Sequence, residues 1–225
     1  MAKRRTEGKT KVEVFAETRE LEERCSISPG NSKTGELPSF SLPPFVACLK
    51  NLPCYPDCYA NNHVYRINKQ PHACYDDNWY TLHKNPDLIW KTIEATVMLN
   101  LAFRWHVSGE IVDMDYLQHM VDIAKRNPHC QMICFTKKYA LVNDWMTING
   151  PLPDNLHMIY SAWRGLQMNN PYHMPECHLI YKDGTTTANE DKVSFVCKGG
   201  CDQCCREHKH CFALKKDEQI LINEH

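Results

Sequence analysis

Phe103-Arg-Trp-His-Val-Ser-Gly-Glu-Ile-Val-Asp-Met-Asp-Tyr-Leu-Gln-His-Met-Val-Asp-Ile-Ala-Lys-Arg-Asn-Pro-His-Cys-Gln-Met-Ile-Cys-Phe-Thr136 reads as a strand, a helix and a second strand in succession. Phe103 to Ser108 alternates as a strand and breaks at Gly109. Asp113 caps a helix whose apolar face is Met114, Leu117, Met120, Val121 and Ala124, and Asn127-Pro128 ends it. Gln131 to Thr136 is the next strand. Strands alternating with helices predict parallel βαβ units and an α/β protein.

The same rhythm extends outward. Upstream, Asn85 as cap, Pro86 at the first helical position and Asp87 in the first turn start a helix running to about Asn100, with Leu88, Ile89, Ile93, Val97 and Leu101 at helical spacing. Before it, Phe40 to Phe45 delivers the chain from a short strand, and Tyr59 to Ile67 can start a helix. Downstream come a helix at about 137–147, a strand at Leu156 to Ala162, and short strands at His178 to Tyr181 and Val193 to Val196. Residues 1–36 are polar, charged and turn-rich, and are expected to be weakly ordered; 37–196 form the main α/β unit and 197–225 a Cys-rich segment.

In such folds ligands gather where strands lead into helices. That places four segments on one rim: the loop after Phe45, His106 to Glu110, Phe135 to Lys138, and Ser161 to Arg164. Ser108-Gly109-Glu110 offers a closely approachable backbone, a hydroxyl and a carboxylate able to accept from an ammonium. Taken alone, the tripeptide reads as a turn with a solvated Glu. Lys137, Lys138 and Arg164 are candidates for a carboxylate, against the alternative of solvated rim charges. Trp105, Trp163 and His106 are read as packing residues.

The first of these segments carries Cys48, Cys54 and Cys58 in one proline-braced loop. Structural zinc and all-cysteine iron-sulfur clusters each take four protein ligands. Three thiolates therefore imply a cluster with one open iron, or a site closed from elsewhere, with Cys74 and His63 nearest. The 225 residues include 13 cysteines, while Met1 to Lys11 is charged and lacks the apolar stretch of a secretory leader. A reducing, cytoplasmic setting is expected, where clustered thiols mean metal rather than disulfides. No run is long enough for a membrane span. A net charge of −1 argues against a broad nucleic-acid footprint despite the basic first residues, whose tail is read as solvated.

A second group, Cys197, Cys201, Cys204, Cys205 and Cys211, holds two histidines among its thiols. Cys201-x-x-Cys204 suits a zinc knuckle completed by His208, His210 or Cys211, whereas Cys197, Cys201, Cys204 and Cys211 suit a second 4Fe-4S cluster, the preferred outcome. Cys204 and Cys205 are adjacent and their side chains diverge, so Cys205 is left out.

Gly30-Asn-Ser-Lys-Thr34, Ser39-Phe-Ser-Leu-Pro43, the loop ending in Cys58-Tyr-Ala60, Phe103 to Glu110 and Cys201-x-x-Cys204 together resemble the gene product eighty-eight family of phage and bacterial proteins, over residues 28–212. That family looks similar to the radical S-adenosylmethionine superfamily. The resemblance implies that Cys48, Cys54 and Cys58 hold a 4Fe-4S cluster and that Ser108, Gly109 and Glu110 stand where a Gly-Gly-Glu type motif binds the methionine amino group. Arg164 is assigned to the same cofactor. The spacing here is Cys-x5-Cys-x3-Cys, a departure from the superfamily's Cys-x3-Cys-x2-Cys. The main unit is also short of the ~250 residues of a full barrel, which predicts a partial (βα) barrel of about five or six mainly parallel strands. The function so implied is reductive cleavage of S-adenosylmethionine, fed by an electron donor, to start radical chemistry on an unknown substrate. The alternative is a non-catalytic iron-sulfur or zinc protein with every metal fully thiolate-bound; a zinc-stabilised nucleic-acid module is a third reading, opposed by the near-neutral charge.

Overall fold

The computed structural model describes residues 21–31, 34–58, 60 and 69–224. Its strands are β1 (Ile27–Ser28), β2 (Ser39–Phe40), β3 (Ala102–Trp105), β4 (Gln131–Thr136), β5 (Leu156–Ser161), β6 (Glu176–Ile180), β7 (Val193–Cys197) and β8 (Gln219–Asn223). Its α-helices are α1 (Lys69–Lys84), α2 (Pro86–Met98), α3 (Met114–Arg126), α4 (Tyr139–Asn149) and the short α5 (Cys201–Arg206). One eight-stranded sheet results, in the order β1-β2-β3-β4-β5-β6-β8-β7. Every pairing is parallel except β1 with β2.

The local signals explain the elements. Asn85 caps α2 by accepting from the Leu88 N–H, and Asp113 caps α3 by accepting from Tyr116 N–H at 2.8 Å. β3 stops at Trp105, short of the expected Ser108, because His106 takes a left-handed φ of 56°. Strand alternation then separates two cores. Phe103, Trp105, Met132, Cys134, Leu156, Met158 and Tyr160 face α2, α3 and α4, while Ile133, Ile159, Cys177 and Ile220 face the opposite way. That second face is covered by the C-terminal segment through Cys205, Cys211 and Phe212.

Several expectations need correction. The sheet has eight strands rather than five or six, and no pairing joins its two edges among the described residues. β8 was not foreseen, and it inserts between β6 and β7. Ile27 and Ser28 are not loose, since β1 pairs with β2, and the Thr34 carbonyl accepts from the Asp202 N–H at 3.0 Å, at the start of α5. The helix expected over Tyr59 to Ile67 lies outside the described residues, as do the basic first residues. Among the described residues no helix is long and apolar enough to cross a membrane.

Candidate metal centre

The cysteine loop leaves the carboxyl end of β2, and its shape is set locally. The Tyr55 hydroxyl donates to the Phe45 carbonyl at 3.1 Å and the two rings lie 4.4 Å apart, drawing the loop's ends together around Cys48 and Cys54. Phe45 and Asn51 absorb the reversal with φ of 67° and 59°. The three thiols are half-buried. Burial first, then Glu110 and Cys58, push the Cys48 thiol up to about 12, with Lys137 opposing. Cys54 is raised by burial, opposed by Lys137, and raised further by Cys58 and Glu110. The loop thus places Cys58 within electrostatic reach of both Cys48 and Cys54, which also feel the Glu110 carboxylate and the Lys137 ammonium.

Glu110 is not the solvated turn residue that its tripeptide alone suggests. It is 5 % exposed and accepts from the Thr136 hydroxyl at 2.6 Å and the Lys137 backbone N–H at 2.8 Å. Burial raises its pKa, with the nearby Lys137 opposing. Gly109 is required where it stands: at φ 86°, a Cβ would lie 2.7 Å from Leu42 Cβ and 2.8 Å from Leu42 O. Ser108 Oγ is buried with no hydrogen-bond partner, an orphan donor beside Glu110 in sequence. Lys137 Nζ donates to Ser161 Oγ at 3.1 Å and lies 5.8 Å from the Trp163 ring centre. The loop, β3, β4 and β5 therefore meet at one rim, as parallel pairing demands.

Arg164 stands further out. Its guanidinium pairs with Asp183 at 3.0 Å, contacts the Thr185 hydroxyl and stacks 4.1 Å over Tyr181. With Pro53, Asp57 and Trp163 it lines an open cleft of about 380 Å³ beside the cysteine loop. Lys138 turns away to donate to Val112 O at 2.8 Å. Of the alternative ligands, Cys74 sits on α1 and His63 lies outside the described residues.

The C-terminal thiols gather on the second face of the sheet. Cys197 ends β7 and its sulfur accepts from the Gly199 N–H at 3.4 Å. Cys201 and Cys204 lie one turn apart on α5. Burial raises Cys211, as does the approach of Cys177, Cys197, Cys201 and Cys204. Cys205 points elsewhere, 3.8 Å from the Leu101 carbonyl oxygen. Cys177 escaped sequence reading because it stands alone in sequence, one residue before the strand expected from His178.

No three Cys, His, Asp or Glu side chains among the described residues stand where a single metal ion could join them. Cluster thiolates bind different irons and stand further apart than the ligands of one ion. Two groups of thiols, each with a cation within electrostatic reach, offer the kind of donors that an iron-sulfur cluster takes. A family model described as gene product 88 matches residues 8–176, which include the cysteine loop and Glu110 and end one residue before Cys177. No curated protein and no solved structure matches the chain.

Proposed function

The chain belongs to the gene product 88 family, and from that premise we propose that it is an iron-sulfur protein of the radical S-adenosylmethionine kind, with a site-open 4Fe-4S cluster on Cys48, Cys54 and Cys58. The observation that carries this reading is the shared surroundings of Cys48 and Cys54, where Glu110 and Lys137 meet the cysteine loop at the carboxyl ends of parallel strands. When bound, the cluster supplies the electron that cleaves S-adenosylmethionine and starts radical chemistry on an unidentified substrate.

The chain's own residues hold and orient. Lys137 would offset thiolate charge, Glu110 would accept from the cofactor's ammonium, and Ser108 offers a donor left unpaired inside the fold. Gly109 keeps side-chain atoms out of the narrow gap against Leu42. Arg164 would bind the carboxylate by leaving Asp183. The open sheet is read as a partial (βα) barrel with α2, α3 and α4 outside and the Cys-rich segment within. Cys197, Cys201, Cys204 and Cys211 mark a second cluster, with zinc as the alternative metal. An electron donor and a reducing, cytoplasmic setting follow from this chemistry.

One observation favours the second reading, a non-catalytic protein with fully thiolate-bound metals: both Glu110 oxygens and the Arg164 guanidinium already have partners inside the chain. Anaerobic purification with iron and zinc analysis separates the two. The first reading expects about eight irons per chain, about four of which disappear when Cys48, Cys54 and Cys58 become Ala. It also expects the reduced protein's paramagnetic resonance spectrum to change on adding S-adenosylmethionine, and less so in Glu110→Gln. Unchanged iron in the triple variant refutes the site. Loss of that cluster in Cys74→Ala alone establishes the closed, non-catalytic alternative, and about four irons with one zinc assigns zinc to the C-terminal group.

A further inference from the structure

β2 and β3 run parallel, with Ser39 opposite Arg104 and Phe40 opposite Trp105. Arg104 donates its N–H to the Pro38 carbonyl and His106 donates to the Phe40 carbonyl, each at 2.9 Å. In a regular parallel ladder the next bond would run from the Leu42 N–H to the His106 carbonyl. It runs instead to the Ser108 carbonyl at 2.9 Å, so two residues are looped out beyond β3, where His106 takes its left-handed φ of 56°. Such a bulge puts the N–H groups of Val107 and Ser108 outside the ladder, and amides inside a fold need an acceptor. The Ser41 hydroxyl oxygen is that acceptor: Val107 donates to it at 3.1 Å and Ser108 at 3.4 Å.

A buried serine commonly satisfies itself within its own turn. Ser41 instead serves residues 66 and 67 positions away. It is 3 % exposed, and its carbonyl accepts from Asn78 Nδ2 at 2.9 Å. Asn78, fully buried on α1, also clasps both backbone groups of Ser26. One hydroxyl thus pins the bulge from the β2 side, and Leu42 stands too close to Gly109 for any Cβ. The chain then reaches Glu110, which Thr136 and Lys137 hold from the β4 side.

We propose that Ser41 is a positioning residue, whose hydroxyl sets the bulge at Val107 and Ser108 and through it the place of Glu110 on the rim. The proposal rests on the reading that Glu110 meets the cofactor's ammonium. Without the acceptor, two donors lose their partner inside the fold and the bulge relaxes to find another. Glu110 is then held from the β4 side alone. Within Ser39-Phe-Ser-Leu-Pro43 the third residue therefore serves the turn after β3 as well as its own segment.

The test uses the full-length protein, purified without oxygen and loaded with iron, as the natural chain, Ser41→Ala, Ser41→Thr and Asn155→Ala. Three quantities are read: iron content, amide hydrogen exchange at Val107 and Ser108, and the S-adenosylmethionine concentration that half-saturates the change in the paramagnetic resonance spectrum. Ser41→Ala should speed exchange at both amides about tenfold or more and raise the half-saturating concentration about tenfold, with iron unchanged. Ser41→Thr keeps the acceptor and should restore both. Asn155→Ala loosens the opposite end of the sheet and should move neither, which separates positioning from general destabilisation. Unchanged exchange in Ser41→Ala, or faster exchange with an unchanged half-saturating concentration, overturns the proposal and leaves the cofactor reading standing. No spectral response in the natural chain defeats the cofactor reading, and the proposal with it. Should Ser41→Ala fail to fold, the natural chain decides: exchange at Val107 and Ser108 as fast as in an unstructured peptide overturns the proposal, and protection of both supports it.

Discussion

His106 is held neutral by the fold, and acidification should expose what that contributes. The ring is 4 % exposed, with Nε2 2.9 Å from the Tyr116 hydroxyl and Nδ1 3.9 Å from Cys134 Sγ. Burial, with Lys138 and Arg104 adding repulsion, drops its pKa from 6.5 to about 3. Between those values the unfolded chain binds a proton that the folded chain refuses, so stability is full above about 6.5 and falls as pH falls toward 3. At about 1.4 kcal/mol per pH unit the interval amounts to about 5 kcal/mol, and to about 3 kcal/mol by pH 4. The assay is urea unfolding followed by tryptophan fluorescence from pH 7 to pH 4, for the natural chain and for His106→Phe. His157, lowered by burial to about 4, adds a slope of the same sign to both proteins and cancels in the comparison. The natural chain should lose about 3 kcal/mol more than the variant. Parallel pH profiles would refute the claim that His106 stays neutral.

Gly109→Ala forces a Cβ against the Leu42 backbone at a positive φ, so a loss of about 3 kcal/mol or more is expected in thermal unfolding. The two Nδ2 hydrogens of Asn155 are shared among the carbonyls of Ala124, Asn127 and Cys130 at 3.0 to 3.1 Å, tying the end of α3 to the start of β4 and β5. Asn155→Ala should cost about 2–4 kcal/mol by denaturant titration, and a change under 1 kcal/mol would show those carbonyls to be solvated instead. Arg164→Ala removes an ion pair whose side chains are 51 % and 54 % exposed, so its effect on unfolding should stay below about 1 kcal/mol. Cys205→Ala should leave the metal content of the loaded protein unchanged, because that thiol is directed to the Leu101 carbonyl oxygen at 3.8 Å.

The βαβ rhythm was legible because each element announces itself locally. Asn85-Pro86 and Asp113 cap their helices from within three residues, and Gln131 to Thr136 is an apolar run between polar ends whose bounds coincide with β4. The loop of Cys48, Cys54 and Cys58 was visible for the same reason, its chemistry being compressed into eleven residues. Glu110 showed only a turn in sequence, since its burial depends on Thr136 and Lys137, which reach it after a helix and a strand have intervened. β8 was missed because five residues at the chain's end carry no pattern that reveals an insertion between β6 and β7. Cys177, twenty residues before Cys197, shares an apolar cluster with Cys205 and Cys211 that only the folded sheet brings together. Short-range sequence therefore determined the α/β class, the capped starts of α2 and α3 and both cysteine groups, while α1 went unforeseen because no acidic residue marks its first turn. Tertiary structure alone decided which face each thiol shares and which charges it meets, because parallel pairing juxtaposes residues whose separation in sequence holds no trace of their contact.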